Sequence, residues 1–123
     1  MRTLRAIAIT VVSTLFVVGS AAAADLYTPP LAFSGTDRVS CDISNVSAQT
    51  RSLTLQLIDL SGTVRLTGES ILSPGESFGA GTTGLANDLF RCHFAVDGTK
   101  GQFRAAIKRR DLNGGDIVVV PAD

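Results

Sequence analysis

Cys41 and Cys92 are the two cysteines of this 123-residue chain, and His93 is its one histidine. Those counts bound the chemistry. A blue-copper centre needs a thiolate, two histidines and often a methionine, whereas the one methionine here is Met1. A structural zinc site fails on the same arithmetic. A Ser–His–Asp triad has His93 alone to draw on, and no serine-elbow pattern accompanies it. Spacing alone leaves a glycosidase carboxylate pair open, but Asp42, Asp59, Glu69, Glu76, Asp88 and Asp97 mostly fall in turns or on wet faces, so they read as solvated acids. The run Gly79-Ala80-Gly81-Thr82-Thr83-Gly84 would cradle phosphate if it opened a helix. No lysine follows it and no helical period appears, so it reads as a loop. Asn45-Val46-Ser47 fits the N-glycosylation pattern, but three-residue matches are common by chance, and the segment reads as a connection. The expectation is a protein that is not an enzyme and needs no cofactor and no metal; a small hydrolase is the weaker alternative.

The elements that position these residues are strands. Ser52-Leu53-Thr54-Leu55-Gln56-Leu57 alternates apolar with polar, and successive strand side chains point to opposite faces. The leucines therefore line one face of a strand central to an antiparallel sheet. Arg38 to Ser44 alternates likewise, with Val39, Cys41 and Ile43 on the core side. In Leu89 to Val96, Phe90, Cys92, Phe94 and Val96 share the inner face. In Gln102 to Arg109, Phe103, Ala105 and Ile107 do so. Leu31-Ala32-Phe33 reads as a short first strand after the Pro29-Pro30 break. Phe78 reads as buried. Ser61-Gly62, Ser73-Pro74-Gly75-Glu76, Asp97–Gly101 and Asn113-Gly114 read as turns. Ile117–Val120 is a final β-branched strand ended by Pro121.

Ahead of these elements, Met1–Arg5 is short and basic, Ala6–Val18 is mostly apolar, and Gly19–Ala24 is built of small residues. That order is the pattern of a secretory signal peptide cleaved after Ala24, with an uncleaved anchor as the alternative. The apolar run is short for a membrane span, and no cysteine follows the small residues to carry a lipid anchor. The expected product is one domain, residues 25–123, in the periplasm or outside the cell, without a stable membrane span. Formal net charge is zero over the full chain. Without Arg2 and Arg5 it falls slightly negative, which gives no general pull toward nucleic acid. In an oxidising compartment Cys41 and Cys92 are expected to form one disulfide between two packed sheets; two buried thiols are the alternative.

Cys41 in an early strand, Cys92 in a late one, and the segment from Asn45 to Leu72-Ser73-Pro74-Gly75-Glu76 resemble immunoglobulin-like or fibronectin-like modules of bacterial extracellular proteins. The resemblance implies an all-β, antiparallel immunoglobulin-like β-sandwich of about seven or eight short strands with one inter-sheet disulfide. If the last long strands form a hairpin about Gly98 and Thr99, Phe94 faces Phe103, Cys92 faces Ala105, Phe90 faces Ile107 and His93 faces Arg104. Arg91, His93, Arg104 and Lys108 then form one basic strip, with Arg109 and Arg110 beside it. The expected role is a structural or interaction module, monomeric or weakly oligomeric, meeting an unknown protein or a polyanionic surface. The alternative is a subunit of a larger assembly that joins its neighbours through the edge strand Ile117–Val120.

Overall fold

The computed structural model describes residues 23–83, 88–111 and 117–123. The leader up to Ala22, Gly84 and the Asn113-Gly114 turn lie outside the described residues. Among the described residues, nine strands pack as two antiparallel sheets. The first sheet orders β1 (Ala23–Tyr27), β7 (Asp88–Asp97), β4 (Arg51–Asp59) and β5 (Val64–Leu72), with β2 (Leu31–Phe33) also paired to β7. The second orders β6 (Ser77–Thr83), β3 (Asp37–Asn45), β8 (Phe103–Asp111) and β9 (Ile117–Pro121). The expected cleavage point after Ala24 falls inside β1, whose Asp25, Leu26 and Tyr27 pair with Ala95, Phe94 and His93.

The alternating residues meet as the sequence predicts. Leu53, Leu55 and Leu57 of the central strand β4 are buried, as are Phe90, Phe94 and Val96 of β7. Val39, Ile43, Phe103 and Ile107 close the core from the second sheet. Each such side chain taken fully from water contributes about 1.5–3 kcal/mol. Phe78 is half-buried and packs against this cluster rather than within it. The Cys41–Cys92 disulfide crosses the middle, joining β3 to β7 with Cα atoms 5.8 Å apart. Ser73–Glu76 carries the chain between the sheets as a tight turn. Its Glu76 N–H donates to Ser73 O at 3.0 Å, and Gly75 takes the positive φ of 85° that such a turn demands.

Three expectations are corrected. First, β7 and β8 are not a hairpin. They lie in different sheets, linked by the 3-10 turn Lys100–Gln102, so Phe94 pairs with Leu26 and Leu55, and Ala105 with Ile43. A hairpin and an inter-sheet arch produce the same inward–outward alternation, and only pairing partners separate them. Second, Gly79 to Thr83 belong to strand β6, paired with β3 from Arg38 to Ser44, and not to a loop. Glycines carry no alternation to read, although they fit a strand where a neighbour presses close. Third, β1 precedes Leu31–Phe33, and Pro29-Pro30 divides two strands that both pair with β7. Strand order also departs from an antibody domain. There the last strand returns beside the second cysteine's strand; here β1 and β2 take that place and β8 pairs with β3.

Candidate binding face

Register fixes what the outer surface of the second sheet presents. With Val39, Cys41 and Ile43 inward, β3 turns Arg38, Ser40, Asp42 and Ser44 outward. On β8, Arg110 lies opposite Arg38, Lys108 opposite Ser40, Ala106 opposite Asp42 and Arg104 opposite Ser44. On β9, Ile117 stands beside Arg110 and Val119 beside Lys108, both about half exposed. On β6 the facing positions are Gly81 and Gly79. A groove of about 510 Å³ runs through this grid, bordered by Arg38, Lys108 and Arg110 on one side of the charge balance and Asp42 on the other, with Ile117 and Val119 as an apolar wall.

The glycines are required by what lies over them. A Cβ at Gly81 would stand 2.7 Å from Val39 O, 2.8 Å from Ser40 Cβ and 3.2 Å from Arg38 Nη2. A Cβ at Gly79 would collide with the Asp42 carboxylate. Bare backbone on β6 thus lets the Arg38 guanidinium and the Asp42 side chain lie down against the sheet. Asp42 is already occupied: Ser40 Oγ donates to it at 2.8 Å and Lys108 Nζ approaches to 3.9 Å. Arg38 and Arg110, by contrast, are like charges directly opposite one another, a cross-strand pairing that costs stability. No salt bridge joins either to a carboxylate among the described residues.

The basic strip expected from the sequence is therefore divided. Arg104 and Lys108 stay on this face, although Arg104 Nη1 donates to the carbonyls of Gly101 and Phe103 at 3.1 and 2.9 Å. Arg91 and His93 lie on the outer surface of the first sheet, on the opposite side of the molecule. The corrected hairpin is the reason. Arg38 and Arg110 replace them, and sequence reasoning missed the pair because it needs β3 beside β8. The outward parity of Arg38 was the available signal.

His93 is not solvated as its outward parity suggests; its side chain is 19% exposed. Its ring stacks on Tyr27 with centroids 4.5 Å apart and planes 13° from parallel. Nε2 lies 2.8 Å from Asp25 Oδ1 and Nδ1 lies 3.4 Å from Gln56 Oε1. The Arg91 guanidinium sits 5.4 Å from the Tyr27 ring centre. A shallower groove of about 930 Å³ opens beside this cluster, with Asp25, Glu69 and Asp97 around small side chains of Ser52, Thr54 and Ala95.

Two polar residues are architectural. Asn45, the glycosylation-pattern residue, is fully buried. Its Nδ2 donates to Gln49 O and Leu72 O, and its Oδ1 accepts from Ser47 N and Oγ, so its amide holds the turns at one end of the sandwich. Asp59 closes the β4–β5 turn. Its carboxyl is lowered from 3.8 to about 2, first by the Ser61 hydroxyl, then by the Thr63 N–H, with Arg65 assisting.

Among the described residues no three His, Cys, Asp or Glu side chains gather as a metal-binding group, and no helix is long and apolar enough to cross a membrane. No protein-family model matches the chain, and no curated protein matches it. The fold is similar to that of Thermotoga maritima 1070, known from a crystal structure. The match has a TM-score of 0.58 and 11% identity, and covers 80% of this chain and 91% of that one. At that identity the likeness is one of fold.

Proposed function

We propose that the protein is an exported, non-catalytic binding module that meets an anionic partner through the outer face of its second sheet. The observation that carries this reading is the direct opposition of Arg38 and Arg110 at the head of a glycine-floored groove, with Lys108 one step along. Cross-strand pairs elsewhere gain from opposite charge. A like-charged pair retained beside a cavity breaks that local rule, and such breaks concentrate at functional sites. Non-catalytic action is supported by His93, whose ring partners are a carboxylate, an amide and a phenol ring rather than a serine hydroxyl. The disulfide is consistent with an oxidising compartment outside the cytoplasm.

Retention on a sulfated dextran resin tests the reading. The wild-type protein is expected to bind at low salt and elute as salt screens the cations. Arg38→Ala with Lys108→Ala and Arg110→Ala should elute early, while Arg91→Ala on the opposite face should not shift. Co-elution of the triple variant with wild type would overturn the assignment.

Assembly through β9 has less support. β9 is an edge strand with Ile117 and Val119 exposed. Just beyond its end, however, the backbone of Asp123 exchanges two hydrogen bonds with Tyr27, at 2.9 and 3.0 Å. That leaves a short open stretch for a partner strand.

A further inference from the structure

We infer that the groove on the second sheet takes a single anionic amphiphile, a phosphate-type head joined to an apolar body, rather than a bare anion. This rests on the binding-face reading above and names its ligand class. The head position follows from the cations. Arg38 and Arg110 stand at paired positions on β3 and β8 and both border the groove, the Arg38 guanidinium lying toward Gly81, and guanidinium groups bind tetrahedral oxyanions through paired N–H donors. Ser40 and Lys108 lie next along the same face, both turned to Asp42, so the Lys108 charge is balanced there and the two arginines carry the excess positive charge of the groove.

The body position follows from β9. Ile117 is 54% exposed beside Arg110 and Val119 is 52% exposed beside Lys108, so two branched aliphatic side chains form one rim of a cationic groove. A ligand that is only an anion leaves that rim in water. A ligand with an apolar segment next to its charge covers it and gains the transfer energy of the covered area. Gly79 and Gly81 floor the other side, where the Asp42 carboxylate and the Arg38 guanidinium lie over the bare backbone. The volume of about 510 Å³ falls in the range of small-molecule sites. The proposal commits to a free, monomeric amphiphile; the same chemistry presented by a bilayer is a separate arm of the test.

The experiment titrates the full protein by calorimetry with dihexanoyl phosphatidate below its micellar concentration, and with glycerol 3-phosphate as the head alone. The wild-type protein should bind the amphiphile about tenfold more tightly than the head. Ile117→Ser with Val119→Ser should bring the two affinities together. Both positions are surface sites, and an unchanged thermal melt confirms the fold. Arg38→Ala should weaken both ligands. Equal wild-type affinities for the two ligands would overturn the inference while leaving the anionic face standing. Binding to phosphatidate vesicles without binding of the monomer would overturn it in favour of a membrane surface. Failure of the wild-type protein on the resin would instead remove the underlying reading.

Discussion

The outer faces of the two sheets carry charge in different ways. On the first, the polar side chains engage one another: the Arg91 guanidinium lies near the Tyr27 ring, and His93 is wedged between Tyr27, Asp25 and Gln56. On the second, Arg38 and Arg110 oppose each other, and the neighbouring Asp42 is held by Ser40 and Lys108. One face spends its charges on holding strands together. The other sets two arginines at paired positions with no salt bridge to a carboxylate among the described residues. The number of basic residues does not separate the two faces; what each side chain sits opposite does.

What the faces share should break first and break both. Cys41→Ala with Cys92→Ala removes the disulfide cross-link between the sheets, spanning 51 residues, and should cost roughly 4 kcal/mol in denaturant unfolding. Asn45→Ala comes next, at about 2–3 kcal/mol, because it strands the buried carbonyl of Leu72 and undoes the turn that Ser47 and Gln49 complete. Chemical denaturation of the variant checks it, and glycan attachment at Asn45 in the folded protein is excluded by the same burial.

The comparison itself is sharpened by a pair of single substitutions. His93→Ala should lower stability by about 1 kcal/mol through loss of the Tyr27 stack and leave resin retention alone. Arg38→Ala should do the reverse, raising stability by up to about 0.5 kcal/mol while weakening retention. Identical behaviour of the two variants would dissolve the distinction. Acid titration separates a further element. The folded Asp59 carboxyl sits below its unfolded value of 3.8, so its contribution is complete above about pH 4 and is lost as pH falls toward about 2. Asp59→Asn should flatten that part of the stability profile.

Much of the fold was legible because alternation reports which face a residue takes. Leu53, Leu55, Leu57, Cys41, Cys92 and Phe94 all reached the core on that signal. Alternation does not report which strand lies alongside. Asp97–Gly101 has the composition of a hairpin turn, yet the chain there arches to the other sheet, and the candidate site moved with it. β6 was illegible for a different reason. Gly79 and Gly81 are explained by Asp42, Ser40 and Arg38 on the neighbouring strand, and nothing within the Gly79–Gly84 run itself shows that. Asn45 matched a modification pattern while serving as a buried bracket, a role visible only once Leu72 is beside it.

The paired backbone bonds between Tyr27 and Asp123 make the two layers resemble a book bound along both sides. On one side β1 and the segment following β9 are laced together by those two hydrogen bonds; on the other β5 and β6 are consecutive strands, joined through the turn at Ser73–Glu76. A hydrogen-bonded seam can part while the chain stays whole and a covalent one cannot, so thermal breathing should open the pages along the laced side, with the amides of Tyr27 and Asp123 taking up deuterium before those of Asn45 and Gly75, which tie the turn.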